Sequence, residues 1–153
     1  MSLHLIAVGK KMPEWVQTAY QEWQKRLPPL WQFKLTEVAP AKKGTPTDLI
    51  PHLEAKEIAA HLPKGTYRIC LDLNGRSYPS EAFASQLQTW RQSNDKLCFI
   101  IGGAFGLSPE LVESCDACLS LSKMTLSHPL CRVILAEQIY RSWTIWHNHP
   151  YHK

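Results

Sequence analysis

Long hydrophobic runs are missing from this sequence. No apolar stretch approaches the roughly 20 residues that a helix needs to cross a bilayer, although 44% of the 153 residues are hydrophobic. The N-terminus also lacks a basic segment followed by an apolar stretch and a small-residue cleavage site. We therefore expect a soluble, globular, cytoplasmic protein rather than a membrane-spanning or exported one.

Two common nucleotide-binding fingerprints are absent as well. The glycines at 102, 103 and 106 are spaced as Gly-Gly-x-x-Gly rather than Gly-x-Gly-x-x-Gly. No Lys-Ser or Lys-Thr pair follows them, as it would in a phosphate-binding loop. These absences disfavour an enzyme that binds NAD or ATP.

Charge and cysteine content are both modest. The 17 Lys and Arg residues exceed the 13 Asp and Glu residues by four, which permits RNA binding without demonstrating it. Five cysteines, an odd number, indicate reduced thiols. Cys115 and Cys118 form a C-x-x-C pair, but a zinc site needs a second pair that the sequence lacks. We expect small core residues and no metal.

Strand and helix patterns alternate along the whole chain, without a linker or an internal repeat. The predicted fold is therefore α/β, a single domain over residues 1–153 with a parallel sheet of about five strands and helices on both faces. Predicted strands cover residues 3–8, 33–38, 67–73, 97–101 and 117–121, and predicted helices cover 13–27, 48–62, 80–92, a short stretch after 108, and 129–147.

Two loops rich in small residues follow the last two predicted strands. The first contains Gly102, Gly103 and Gly106 and leads to a helix start with Ser108 as N-cap and Pro109 in the first turn. The second covers residues 122–127. Loops of this kind at neighbouring strand ends form a pocket where backbone approaches a ligand closely. Spacing alone is equally compatible with a tight structural turn at Gly102.

Several motifs in order resemble one protein family. These are residues 5–10 (LIAVGK), the IGGxxGL tract, the tract LSKMTL followed by His128, and the ending NHPYHK. Together they resemble the RlmH family of SPOUT-class ribosomal RNA methyltransferases over the whole chain. The resemblance implies a SPOUT fold with a C-terminal trefoil knot and a homodimer. It also implies methyl transfer from S-adenosylmethionine to N3 of a pseudouridine in 23S ribosomal RNA of the large subunit.

The same resemblance implies which residues bind S-adenosylmethionine. The family's cofactor contacts fall on Leu71, Gly102, Leu121, Ser122, Lys123, Met124, Thr125 and Leu126. Leucine and methionine side chains can sandwich adenine, and backbone groups of the second loop can bind its polar edge. The alternative for these apolar residues is ordinary core packing. Lys123 departs from the alanine of many relatives and could change one cofactor or RNA contact.

Candidate catalytic residues lie on the last helix and the tail. By resemblance the tail belongs to the active site, where Tyr151 and His152 would place the base or handle a proton, and Lys153 would contact phosphate. Arg141 and His128 are candidates for electrostatic stabilisation. Alternatively, Arg141 only pairs with Glu137 four residues earlier, and His128 only caps the helix. The last helix is apolar over more than one stripe, which favours a subunit interface. The alternative is a central core helix of a monomer.

Two other functions remain compatible with the residues. A non-catalytic, ribosome-associated RNA-binding module would explain the mild positive charge and the aromatic residues, but not two small-residue loops at strand ends. An α/β enzyme for another nucleotide would explain those loops, but it lacks the usual fingerprints.

Overall fold

The computed structural model describes residues 1–152, which form a five-stranded sheet. Its strands are β1 (Ser2–Val8), β2 (Phe33–Val38), β3 (Tyr67–Ser77), β4 (Lys96–Ile101) and β5 (Ala117–Ser120). Their order is β2-β1-β4-β3-β5, and every pair is parallel. The predicted parallel α/β sheet of about five strands is confirmed.

Helices connect the strands, as parallel pairing requires. They are α1 (Glu14–Arg26), α2 (Ile50–His61), α3 (Ser80–Ser93), α4 (Pro109–Ser114) and α5 (His128–Trp146), with a 3-10 turn at Pro29–Trp31. Proline lies in the first turn of α2, α4 and α5, where its missing N–H costs no helical hydrogen bond. As predicted, Ser108 caps α4, and its Oγ accepts a hydrogen bond from the Leu111 N–H at 3.2 Å.

Alternate residues of β1 enter two separate cores. Leu3, Leu5 and Ala7 pack on the face covered by α1, α3 and α5. Ile6 and Val8 pack on the opposite face, against α2 and α4. This alternation follows from the two-residue period of a strand. Helices therefore cover both faces, and α5 packs against both α1 and α3.

Strand β3 is irregular where it passes the end of the sheet. Its pairing with β5 shifts register between Leu71 and Arg76, and the strand continues to Ser77, four residues beyond its predicted end. Gly75 lies so close to β5 that a Cβ atom there would be 2.7 Å from the carbonyl carbon of Leu119. The irregularity places Asp72 and Leu73 beside the cavity described below.

Two findings concern features expected from the sequence, and a third feature is not tested. No helix within residues 1–152 is long and apolar enough to span a membrane. The five cysteines are free thiols, with Cys70 and Cys98 buried. The C-terminal trefoil knot stays a prediction.

Candidate methyl-donor site

A cavity of about 420 Å³ lies at the carboxyl ends of β3, β4 and β5. Such edges of parallel sheets are common ligand sites. The two small-residue loops both line it, although β4 and β5 are not neighbours as we expected, because β3 lies between them. The predicted residues that line the cavity are Leu71, Gly102, Leu121, Ser122, Met124, Thr125, Leu126 and His128.

Gly102 allows the first loop to pack closely, and it also lines the cavity. A Cβ atom at this position would lie 2.9 Å from the carbonyl carbon of Gly106 and 3.0 Å from Cδ2 of Leu107. The loop closes on itself through a 3.0 Å hydrogen bond from the Gly106 N–H to the Gly103 carbonyl, and Gly106 has φ +78°. Gly102 therefore lies in a tight turn and also lines the cavity, while its contact with a ligand stays a prediction.

The second loop is shaped by its own serines. Ser120 Oγ donates to the Ser122 carbonyl at 2.9 Å, and Ser122 Oγ accepts from the Met124 N–H at 2.9 Å. Met124 is 77% exposed, which excludes core packing for this side chain. Lys123 is exposed and does not line the cavity. Seven of the eight residues that the resemblance assigned to the cofactor thus share one cavity.

Sequence reasoning missed several polar groups of this cavity. Asp72, Ser120 and Ser127 line it beside the predicted residues. The Asp72 Oδ2 atom accepts a hydrogen bond from the Asn74 N–H at 3.1 Å, which leaves Oδ1 available to a ligand. The signal in the sequence was an acidic residue near the end of a buried strand, the position at which a carboxylate binds ribose in other α/β folds.

His128 is the first residue of α5 and lines the cavity. It does not cap the helix, because Ser127 occupies the N-cap position. Burial and the nearby Arg132 charge lower the pKa of His128 below its ordinary value of 6.5, so the ring is uncharged at neutral pH. Its Nδ1 atom is buried and has no hydrogen-bond partner within residues 1–152.

One helical turn further, Arg132 is a buried cation that the sequence did not reveal. Its side chain is 2% exposed and forms a 2.5 Å ion pair with Glu37, whose side chain is 34% exposed. The Nη2 atom also donates to the Gly9 carbonyl at 2.8 Å and the Val8 carbonyl at 3.3 Å. Arg132 therefore joins the start of α5 to the ends of β1 and β2, and so fixes one wall of the cavity.

Two other predicted catalytic residues, Arg141 and Tyr151, form a separate group with Glu137 and Tyr140, which we call the tail cluster. The Tyr151 hydroxyl donates to Glu137 Oε1 at 2.7 Å. Arg141 donates to the same oxygen through Nε at 3.0 Å and Nη2 at 2.6 Å. The Arg141 guanidinium also lies 5.1 Å from the centre of the Tyr151 ring, which packs edge-on against Tyr140 at 4.9 Å.

The tail cluster is remote from the cavity of its own chain. None of its residues lines the cavity, and neither does His152. Because an α-helix rises 1.5 Å per residue, Arg141 lies about 20 Å along α5 from His128. His152 Nδ1 is buried without a hydrogen-bond partner in the described part of the chain, and Lys153 lies outside the described residues. One chain thus holds the two halves of the predicted active site apart.

Neither the cavity nor the tail cluster, as far as the described residues show, contains a candidate metal site. Within residues 1–152, no cluster of three or more His, Cys, Asp or Glu side chains could hold a metal ion. Cys115 directly follows α4 and Cys118 lies in β5, and both side chains pack against the core that contains Cys70 and Cys98.

Known proteins resemble this chain over nearly its whole length. The sequence model described as "Predicted SPOUT methyltransferase" matches residues 1–152. A protein of Paraburkholderia xenovorans named ribosomal RNA large subunit methyltransferase H is 42% identical over 155 aligned positions, which cover 100% of this chain and 99% of that protein. The protein of the same name from Burkholderia ambifaria is 43% identical over the same shares.

Solved structures share the fold at low sequence identity. A probable methyltransferase from Bordetella pertussis superposes with a TM-score of 0.60 at 14% identity, covering 92% of this chain and 95% of that one. This similarity concerns the fold alone.

Proposed function

The chain belongs to the SPOUT methyltransferase family, and on this premise we propose that it methylates N3 of a pseudouridine in 23S ribosomal RNA of the large subunit. The methyl donor is S-adenosylmethionine, and the protein acts in the cytoplasm as a single-domain homodimer. One observation carries the proposal: seven of the eight residues expected to bind the donor line one cavity. The names of its relatives support the RNA substrate.

The cavity fits this donor in size and in chemistry. Its volume of about 420 Å³ lies within the range of small-molecule sites. Leu71, Leu121 and Leu126 would offer apolar walls to the adenine ring, and backbone groups of residues 121–126 would bind its polar edge. Asp72 adds a carboxylate that accepts hydrogen bonds from ribose hydroxyls or an ammonium group.

Methylation at N3 makes specific demands on the protein. The N3 atom of pseudouridine carries a proton and is a poor nucleophile until that proton leaves or is shared. S-adenosylmethionine, when bound, supplies an electrophilic methyl group on a sulfonium centre. The residues around it must therefore orient the base, favour its anionic form and align N3 with the methyl carbon.

The candidate residues have different protonation states for these tasks. His128 is uncharged at neutral pH, because its pKa is lowered, so it acts as a hydrogen-bonding group rather than as a cation. Burial and the Glu137 carboxylate raise the pKa of Tyr151 to about 12. Tyr151 therefore keeps its proton and positions the base instead of deprotonating it. Arg141 supplies positive charge for the developing anion, and His152 helps to place the base.

A second copy of the chain would bring the two halves of the site together. Within one chain the tail cluster lies about 20 Å along α5 from the cavity. The side chains of Leu73, Phe105 and Met124, at the loops around the cavity, are 50%, 54% and 77% exposed. Such apolar side chains favour coverage by a partner surface. The tail of one protomer then completes the cavity of the other.

The substrate is a large preorganised ribosomal particle rather than a short RNA. Residues 1–152 form one methyl-donor fold and contain no separate domain for RNA recognition. Binding should then rely on many weak, salt-dependent phosphate contacts spread over the surface. Efficient methylation of a naked RNA hairpin would contradict this part of the proposal.

Calorimetry with four ligands tests the identity of the donor. S-adenosylmethionine and S-adenosylhomocysteine should bind with similar affinity, while NAD and ATP should not bind. The result that defeats the proposal is binding of NAD or ATP alone, or of none of the four, as a non-catalytic RNA-binding module would give.

Complementation between two defective chains tests the shared site. One chain carries Gly102→Ala in the cavity loop, and the other lacks residues 149–153. Each homodimer should be inactive. A mixed dimer would contain one intact site, made from the cavity of the truncated chain and the tail of its partner, and should recover about half of the wild-type activity. No recovery in mixed dimers verified by mass spectrometry would exclude a shared site.

A matched control uses two lesions in the same half-site. Arg141→Ala and the truncation both damage the tail cluster, because Arg141 and Tyr151 contact the same Glu137 oxygen within one chain. Mixed dimers of these two variants should recover no methyl-transfer activity. Recovery there would show that the tail and Arg141 act in different sites.

A further inference from the structure

A second cavity, of about 460 Å³, lies at the opposite end of α5. We call it the aromatic cavity and define it by Trp31, Arg91, Trp143, Trp146 and His147, with Met1 at its edge. Trp146 follows His128 by 18 residues, which corresponds to about 27 Å along the helix. The aromatic cavity therefore shares no residue with the methyl-donor cavity, and the proposed reaction does not use it.

Arg91 lies over two neighbouring indole rings in this cavity, whose centres are 5.6 Å apart. Its guanidinium carbon lies 4.4 Å from the ring centre of Trp31 and 4.9 Å from that of Trp146. The Trp146 indole N–H donates to the Ala84 carbonyl at 3.1 Å, which fixes one of the rings. Arg91 Nε donates to the Met1 sulfur at 2.8 Å. The guanidinium is thus positioned before any ligand arrives.

No carboxylate neutralises this arginine within residues 1–152. Arg91 forms no salt bridge there, whereas Arg26, Arg132 and Arg141 each pair with a glutamate. Its hydrogen bond to sulfur uses only Nε, so the terminal N–H groups stay available. No acidic side chain of the described chain lines the cavity. Burial lowers the pKa of Arg91, yet an arginine keeps its charge at physiological pH.

The remaining walls are suited to a flat ring. Trp143 and His147 stack on each other at 4.9 Å with an interplanar angle of 30°, and His147 is exposed. Leu30, at 84% exposure, extends the apolar surface at the cavity edge. Trp31 is only 5% exposed and Trp143 and Trp146 are half-buried, so His147 is the aromatic ring most open to a ligand. An unpaired cation beside this ring matches an anion joined to an aromatic ring. A nucleotide has this combination, and single-stranded RNA is bound in this way.

We propose that the aromatic cavity binds one unpaired nucleotide of the RNA substrate, distinct from the methylated base. Arg91 contacts its phosphate, and the base stacks on His147, the exposed aromatic ring of the cavity. The site anchors the enzyme about 27 Å along α5 from the methyl-donor cavity. That the nucleotide belongs to the methylated RNA rests on the proposed function, whereas binding of single-stranded RNA does not.

Binding of a fluorescent seven-nucleotide oligouridylate to the full chain tests the site directly. Arg91→Gln should weaken binding about tenfold, as expected for the loss of one stacked, phosphate-linked contact. It should also reduce the slope of log affinity against log salt by about 0.7, the value of one phosphate contact on a single strand. Arg91→Lys should restore the salt slope but not the full affinity, because lysine keeps the charge without the planar group.

Lys64→Gln is the matched control, because it removes the same charge from an exposed lysine outside the cavity. It should leave oligouridylate binding within twofold of wild type. Near-ultraviolet circular dichroism and S-adenosylmethionine binding verify that each variant is folded. Equal weakening by Lys64→Gln and Arg91→Gln would reduce the effect to net charge and overturn the proposal.

Kinetics on ribosomes lacking the modification separate this inference from the proposed function. Arg91→Gln should raise KM for the particle about tenfold and leave kcat unchanged, since the methyl-donor cavity is untouched. If wild type methylates ribosomes and Arg91→Gln has the same KM, the anchoring role is wrong while the proposed function stands. If wild type methylates no RNA, the proposed function fails, and oligouridylate binding still decides whether the cavity takes RNA.

Photocrosslinking identifies the occupant. Ribosomal RNA carrying 4-thiouridine should crosslink to peptides containing Trp31, Trp143 or Trp146 in the wild-type enzyme, and less in Arg91→Gln. Crosslinks from these peptides to a ribosomal protein, or none at all because a second protomer covers the cavity, would contradict an RNA site.

Discussion

Replacing Arg132 with methionine should destabilise the fold strongly, although the exchange keeps the apolar length of the side chain. Arg132 is 2% exposed and holds Glu37 together with the carbonyls of Val8 and Gly9. Removing one member of a buried ion pair leaves the other without its counter-charge and typically costs about 3–5 kcal/mol. Glu37 is 34% exposed and regains some water, so we expect about 3 kcal/mol.

A double-mutant cycle isolates the ion pair from the backbone contacts. Glu37→Gln should cost about 2 kcal/mol, because glutamine keeps a hydrogen-bond acceptor for Arg132 but loses the charge. In the double variant the two losses should overlap, with a coupling of about 1.5–3 kcal/mol. Urea unfolding at one fixed protein concentration supplies the free energies, since the stability of a dimer depends on its concentration.

The same variant should also weaken donor binding. Arg132 fixes the start of α5, and His128, one turn earlier, lines the methyl-donor cavity. A loss below about 1 kcal/mol for Arg132→Met, which is ordinary for a surface change, would refute the reasoning. Strict additivity in the cycle would show that Arg132 and Glu37 do not interact in solution.

Three further predictions follow from individual contacts. Gly102→Ala should weaken S-adenosylmethionine binding at least tenfold in calorimetry, because its Cβ would lie 2.9 Å from the Gly106 carbonyl carbon; unchanged affinity would exclude this loop from the site. The pKa values of His4 and His128 are lowered in the fold. Their contribution to the free energy of unfolding should therefore be fully present above pH 6.5, and it should decrease as the pH falls below that value. His128→Asn should flatten part of that slope in urea titrations, and an unaltered slope would contradict the assignment. Tyr151→Phe removes the hydrogen bond to Glu137 and should cost about 1 kcal/mol of stability and at least tenfold in kcat, with donor affinity unchanged; a normal kcat would remove Tyr151 from the site.

Hydrophobic periodicity predicted most elements of the fold. The β2 bounds match the prediction, and α3 differs by one residue at its end. Strand β3 was the main exception, because Asn74 and Gly75 suggest a turn, whereas the strand continues through a register shift alongside β5. The order of the strands in the sheet could not be predicted from local sequence patterns either. The position of β3 between β4 and β5 depends on tertiary packing, which no short window of sequence reports.

The candidate site could be predicted in part for a similar reason. Residue types at strand ends indicated the methyl-donor cavity, and the resemblance assigned its residues. The sequence could not show that Arg132 is buried, since an arginine on a helix is usually exposed. Nor could it show that the tail packs on Glu137 instead of entering the cavity of its own chain. Both depend on contacts between segments distant in sequence.

Methyl transfer to ribosomes that lack the modification tests the central claim most directly. Purified protein, deuterated S-adenosylmethionine and such ribosomes are incubated, and the nucleosides of the large-subunit RNA are analysed by mass spectrometry. We predict one labelled product, 3-methylpseudouridine, which is lost with Gly102→Ala in the methyl-donor cavity and with removal of residues 149–153. Absence of label, or label on another nucleoside, would contradict the proposed function.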